Sequence, residues 1–127
     1  MAWRRYNGSK YGAKKVKTED GIFDSVHEFR RWQELKLLER AGEIAGLRRQ
    51  VKYTLIPAQR EPETIGKRGG RKLGAIIERE CAYIADFVYR DMAGAVHVED
   101  AKGMRTTEYV IKRKLMLYIH GIRIEEV

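Results

Sequence analysis

The sequence predicts a single α/β domain in the order helix, three strands, helix, strand, and three observations carry that expectation. The first is a helix start at Asp24-Ser25-Val26-His27-Glu28. The second is a pair of β-type runs, Tyr83-Ile-Ala-Asp-Phe-Val-Tyr89 and Ala95-Val-His-Val-Glu-Asp-Ala-Lys102, on either side of a turn at residues 90–94. The third is a second helical stretch opening at Thr106-Thr107 and stopping at Gly121. With 127 residues and 43% hydrophobic content the chain has room for one modest core, and it contains no internal repeat, heptad array or domain linker.

Residues 1–21 are basic, glycine-containing and aperiodic, so they read as an arm or a weak strand, with Lys10, Lys14, Lys15 and Lys17 exposed. Asp24 or Ser25 caps the first helix, Ser25-x-x-Glu28 fits a capping box, and the helix should stop at Ala41-Gly42. From Gly46 to Pro57, Leu47, Arg49, Val51, Tyr53 and Leu55 alternate with Arg48, Gln50, Lys52 and Thr54, the pattern of a half-exposed strand. Residues 57–74 contain Pro62, four glycines and Lys67, Arg68, Arg71 and Lys72, which predicts a flexible basic loop or hairpin tip. The strands on either side of residues 90–94 should form an antiparallel hairpin, and Ile122-Arg-Ile-Glu-Glu126 offers a last short strand. In the second helix Val110, Ile111, Leu115, Met116, Leu117, Tyr118 and Ile119 surround the axis, so that helix is either central or covered in part by a second subunit.

The net charge of +8 favours an anionic partner. Residues 1–60 carry 14 Lys and Arg against 7 Asp and Glu, whereas residues 81–127 carry 7 of each. Cys81 is the single cysteine, which excludes an internal disulfide and a cysteine-rich zinc site and leaves a small buried hydrophobe as its expected role. No signal-peptide pattern and no apolar run near ~20 residues is present, so an intracellular, cytoplasmic protein is expected.

The chemistry concentrates in the paired strands. Alternation puts Val98, Asp100 and Lys102 on one side and Glu99 and Ala101 on the other, which makes Glu99 a salt-bridge residue at the surface or between subunits. Asp86 should share a face with Ile84 and Val88, an apolar setting in which an unpartnered carboxylate is costly. Carboxylates on neighbouring strands can clamp a hard cation such as Mg²⁺, and a nearby lysine can orient a water or meet a phosphate oxygen. The same residue types also suit a structural Asp86–Lys102 salt bridge. His27-Glu28 lacks the second histidine of a zinc-protease helix, and His97 and His120 have no partner pattern.

With Asp86 followed by Asp100-x-Lys102, the chain resembles the PD-(D/E)XK nuclease superfamily, with Ala85 replacing the usual proline before the first acid. Lys-Tyr-Gly-Ala-Lys-Lys (10–15), Phe-Asp-Ser-Val-His-Glu-Phe (23–29), Leu-x-x-Gln-Val-x-Tyr-x-Leu (47–55), 83–89 and Val-Glu-Asp-Ala-Lys-Gly (98–103) are similar to small phage-encoded, Holliday-junction resolvase-like endonucleases. The resemblance implies a restriction-endonuclease-like α-β-β-β-α-β core, with a central mixed sheet flanked by helices. It implies Mg²⁺-dependent cleavage of branched DNA by a homodimer, with Mn²⁺ as a substitute metal. It makes Glu28, Asp86 and Asp100 metal ligands and Lys102 the catalytic lysine; from the residues alone, Glu28 is equally a helix cap. Gln50 and Lys52 share a strand face that approaches the site in that family.

Lys10, Lys14, Lys15, Lys17, Lys67, Arg68, Arg71 and Lys72 are the expected phosphate contacts, and Trp3, Tyr6 and Tyr11 are candidates to stack on unpaired bases. No base-reading motif is present, which favours recognition of DNA structure over sequence. Two alternatives stay open: a nicking, flap or packaging-associated endonuclease of the same superfamily, and a non-catalytic DNA-binding recombination accessory protein.

Overall fold

The computed structural model describes residues 14–127. Two short strands, β1 (Val16–Thr18) and β2 (Gly21–Phe23), pair as a small hairpin ahead of helix α1 (Val26–Arg40). Lys14, Lys15 and Lys17 are exposed, whereas Lys10, Trp3, Tyr6 and Tyr11 lie outside the described residues. The weak-strand reading of this region therefore holds from Val16 onward, and Val16 and Phe23 help to build the core against α1.

Ser25 caps α1, its hydroxyl accepting from the Glu28 N–H at 3.1 Å. The helix ends at Ala41, and Gly42, at φ +78°, takes the left-handed turn that leads into β3 (Ile44–Ile56). Strand β3 pairs antiparallel with β8 (Cys81–Asp91), β8 pairs antiparallel with β9 (Val96–Asp100), and β10 (Glu125–Glu126) lies parallel to β9. The result is a mixed four-stranded sheet in the order β10-β9-β8-β3. Helix α2 (Thr107–His120), capped by Thr106 and closed by Gly121 at φ +66°, connects β9 to β10. The expected order of helix, three strands, helix and strand is thus present, although β8 runs to Asp91 and β9 stops at Asp100, leaving Lys102 just past the strand.

The helices cover opposite faces of the sheet. Against α2 lie Leu55, Tyr83, Ala85, Val88 and Val98, packed with Tyr109 and Met116. Against α1 lie Ile44, Phe87 and Tyr89, packed with Leu35 and Phe23. Cys81 is half-buried at the edge of the α2-side core as a free thiol. Burial takes Tyr109 and Met116 inward on α2 but leaves Ile111, Leu117, Tyr118 and Ile119 exposed.

The faces of β3 and β8 do not alternate regularly, which corrects two expectations. Leu47 packs on the α1 side and the Arg49 guanidinium lies 3.7 Å over the Phe23 ring there, yet Val51, Tyr53 and Leu55 pack on the α2 side. On the partner strand Ala85 faces α2, while Phe87, two residues later, faces α1. The changeover falls at Gln50, the non-glycine residue with positive φ (+52°) among those described, and at Asp86 opposite it in the register. A left-handed residue rotates the chain out of its two-residue period, so both strands turn over together. Asp86 consequently does not share a face with Ile84 and Val88: Ile84 is exposed and Val88 is buried on the α2 side.

Residues 57–80 form a two-stranded ribbon, the hairpin alternative of the sequence reading and not the loop. It continues the β3–β8 hairpin through β4 (Gln59–Arg60) paired with β7 (Ile76–Glu78) and β5 (Thr64–Ile65) paired with β6 (Arg71–Lys72). Gly66 and Gly70 close its tip, the Gly66 N–H donating to the Gly70 carbonyl at 2.7 Å. At Gly74 the two chains pass so closely that an added Cβ would lie 2.0 Å from the Glu61 carbonyl oxygen.

Candidate acidic active site

The last β8–β9 pair on this side is Phe87 with Glu99. Beyond it the Ala101 N–H donates to Asp86 Oδ2 at 2.9 Å, so a side chain takes over where the backbone ladder stops. The opening beside that junction is a cleft lined by Asp24, Gln50, Asp86, Asp100, Lys102 and Tyr109, among others. Sequence-predicted Asp86, Asp100 and Lys102 are therefore brought together, and Glu28 approaches from the first turn of α1.

Asp100 is buried. Its Oδ2 accepts a 2.5 Å hydrogen bond from the Tyr83 hydroxyl. Its Oδ1 lies 3.1 Å from Lys102 Nζ, but the approach lacks hydrogen-bond alignment and leaves that oxygen unsatisfied. The Lys102 ammonium also sits 4.2 Å from the centre of the Tyr109 ring, an attraction between the cation and the ring face. The two carboxylate oxygens thus differ: one is held by a phenol, and the other is an acceptor without a satisfied donor.

Burial pushes the Asp86 carboxyl up to about 7, with the nearby charges of Asp100 and Glu28 adding to the effect. The Ala101 N–H and the Lys102 charge oppose it. Gln50 Nε2 lies 3.4 Å from Asp86 Oδ1 and 3.5 Å from Glu28 Oε1, linking the two acids weakly. Lys52 does not join them; it pairs with Glu80.

Glu28 divides its work between its two oxygens. Oε2 accepts from the Asp24 N–H at 3.1 Å, one residue earlier than the reciprocal bond to Ser25 that a capping box would give. Oε1 faces Gln50 and lies 3.7 Å from Arg49 Nη2. Burial raises the Glu28 carboxyl above its ordinary range, against the lowering effect of the Asp24 N–H. Capping and facing the site, which compete in the sequence, coexist in the fold.

Glu99 is on the opposite face from Asp100, as its parity predicts, but it is neither superficial nor intersubunit. It is buried and held within the chain by Arg31, through Nε at 2.8 Å and Nη2 at 2.7 Å, and by the Tyr89 hydroxyl. The reason is α1, which covers that face and carries Arg31 onto it. Tyr83, Arg49 and Arg31 were not legible as site or support residues. One signal did exist: a tyrosine in a buried strand needs a partner for its hydroxyl, and Asp100 on the next strand supplies it.

Among the described residues, the expected phosphate contacts do not line the cleft. Lys67, Arg68 and Lys72 are exposed on the ribbon, and Arg71 is paired with Glu63 through Nε at 2.7 Å. His97 and His120 have structural partners, His97 between Asp91 and Glu125 and His120 on the Thr54 carbonyl.

Among the described residues, no three His, Cys, Asp or Glu side chains converge tightly enough to make a ready-formed metal cage. The donor chemistry nevertheless suits a hard divalent cation, because Asp100 Oδ1 has no hydrogen-bond partner although Lys102 Nζ lies 3.1 Å away, and the destabilised Asp86 anion calls for positive charge. Mg²⁺ is commonly held by one or two carboxylates with water completing its shell, so a closed trio is not required.

Fold and site together define a mixed α/β protein whose sheet opens into an acidic cleft that also carries Lys102 and Lys112. The chain belongs to the DUF1064 family, described as a protein of unknown function, whose model matches residues 8–123. No curated protein and no solved structure matches it. No helix among the described residues is long and apolar enough to cross a membrane.

Proposed function

We propose that this chain is a metal-dependent endonuclease of the PD-(D/E)XK type, acting on branched DNA and most specifically on four-way junctions. The observation that carries the reading is Asp100 Oδ1, a buried and unsatisfied acceptor in the same cleft as Asp86 and Lys102. The element order α1, β3, β8, β9, α2, β10 supports a restriction-endonuclease-like core. The net charge of +8, from 26 Lys and Arg against 18 Asp and Glu, favours a polyanion.

Asp86 and Asp100 would hold Mg²⁺ or Mn²⁺, with Glu28 Oε1 facing the same space. The ion would supply positive charge to the scissile phosphate and lower the pKa of a bound water. The protein's own part is positional. Tyr83 fixes one oxygen of Asp100 and so directs the other, the Ala101 N–H fixes Asp86, and the Tyr109 ring steadies the Lys102 ammonium. Lys102 Nζ then donates to the attacking water or to a nonbridging phosphate oxygen, stabilising the charge that grows in the transition state.

A homodimer suits this substrate, since two sites would nick symmetric strands. The exposed Ile111, Leu117, Tyr118 and Ile119 of α2 favour such a contact. A panel of linear, nicked, flapped and four-way DNAs tests the substrate: the four-way junction should be cut fastest. Preferential cutting of flaps or nicks would replace the resolvase reading with another endonuclease of the same superfamily. A second reading, a non-catalytic DNA-binding accessory protein, would use the same fold and the same basic surface without the metal. Calorimetric Mg²⁺ titration separates the two, because heat lost in Asp86→Asn supports the nuclease and no heat in the wild type supports the binder.

A further inference from the structure

The ribbon of residues 59–78 is almost wholly solvated, with Gly66 and Gly74 its only half-buried residues. It nevertheless carries large apolar side chains: Ile65 is 81% exposed, and Leu73, Ile76 and Ile77 are also exposed. An isolated two-stranded ribbon of this kind has no core of its own to repay that exposure. Its sequence is also specific in charge. Between Thr64 and Gly74 stand Lys67, Arg68, Arg71 and Lys72 with no acidic residue, and Glu63 just outside pairs with Arg71.

Register determines what the tip presents. Thr64 pairs with Lys72 and Ile65 with Arg71, and directly paired residues in an antiparallel ladder lie on the same face. Ile65 therefore lies beside Arg71 on one face, Lys72 lies on the other, and Lys67 and Arg68 occupy the turn between the two strands. A two-stranded ribbon has the width to enter a DNA groove, lysines and arginines on it meet phosphates, and exposed aliphatic side chains are the ones that wedge against unstacked bases.

We propose that this ribbon is a DNA-inserted arm, in which Lys67, Arg68 and Lys72 hold the phosphate backbone and Ile65 packs against a base face exposed at the branch point. This rests on the endonuclease reading and deepens it, because it gives the structure selectivity a residue outside the acidic cleft. The charge complementarity of a tip with four cations, of which Arg71 is paired with Glu63, selects a nucleic acid as the occupant. Ile65 touches no core cluster, so replacing it leaves the fold intact.

The test uses the full-length protein and a four-way junction carrying 2-aminopurine at the branch, without divalent metal so that no strand is cut. Wild type should raise the 2-aminopurine fluorescence as the branch base unstacks. Ile65→Ala should bind within about threefold of wild type yet lose most of that rise, while Lys67→Glu with Arg68→Glu should weaken binding at least about tenfold and flatten its salt dependence. Full fluorescence in Ile65→Ala, or unchanged affinity in the double charge reversal, overturns the arm while leaving a junction-cutting wild type as an endonuclease. A wild type that neither binds nor cuts junctions overturns both.

Discussion

The Tyr83 hydroxyl donates a 2.5 Å hydrogen bond to Asp100 Oδ2, and the other oxygen of that carboxylate is buried without a satisfied donor. The phenol comes from β8 and the acid from the end of β9, so the sheet itself sets the direction of Oδ1. Burial and the Asp100 charge both push the Tyr83 hydroxyl well above its ordinary range, keeping it a donor.

Tyr83→Phe should keep the fold and lose the aim of Asp100. Loss of a partner that orients a ligand typically costs about 10–100-fold in metal affinity or activity. The expected result is a fall of that size in the apparent Mg²⁺ affinity of cleavage, with junction affinity unchanged. Metal titration of the cleavage rate, beside a binding assay without metal, measures both.

Asp86→Asn should stabilise the metal-free protein at pH 8. The folded carboxyl is raised to about 7 from an ordinary 3.8, so the folded state is penalised as pH rises through that interval, fully so above it. Asparagine removes the charge that faces Glu28 and Asp100 and retains an oxygen for the Ala101 N–H. A gain of roughly 1–3 kcal/mol at pH 8, shrinking toward zero near pH 4, is expected from denaturant unfolding at the two pH values. Lower stability at pH 8 would contradict the electrostatic account of the cleft.

Glu99 and Asp100 are adjacent in sequence and should behave oppositely. Arg31→Leu leaves the buried Glu99 carboxylate with only the Tyr89 hydroxyl, and breaking a buried pair in this way costs about 3–5 kcal/mol. Lys102→Ala removes a single ion contact from an equally buried carboxylate that keeps the Tyr83 hydroxyl, so it should cost less than Arg31→Leu while removing cleavage. Paired thermal melts and activity assays would show whether stability follows the α1 face and activity the α2 face.

How far the sequence revealed this arrangement depends on where its periodicity was regular. The helix boundaries followed from Ser25, Thr106 and Gly121, whose capping chemistry is local. The opposition of Glu99 and Asp100 followed from the two-residue period of β9, which is unbroken. The same arithmetic failed on β3 and β8, because a left-handed backbone at Gln50 is a single-residue event that leaves no mark in a hydrophobic pattern. For the ribbon the sequence offered a hairpin tip or a loop without deciding, because its strands are two or three residues long and all exposed, and no apolar alternation announces them. Tyr83 and Arg31 reach their acids only through tertiary contact.

His97 should contribute stability that fades as the solution turns alkaline. Hydrogen bonds to Asp91 first, and then to Glu125, raise its pKa in the folded state. That stability is fully present below the unfolded value of about 6.5 and is lost as pH rises through the raised folded value. His97→Gln should therefore lower the melting temperature at pH 5.5 and have less effect at pH 9, with an energy below about 1 kcal/mol for so exposed a pair.

Cleavage of a labelled four-way junction, with Mg²⁺ and with EDTA, by wild type, Asp86→Asn and Asp100→Asn tests the central claim most directly. The proposed site predicts paired nicks near the branch in Mg²⁺ from wild type alone, none in EDTA, and retained junction binding by both variants. Cutting that persists in EDTA, or at wild-type rates in both variants, would contradict it.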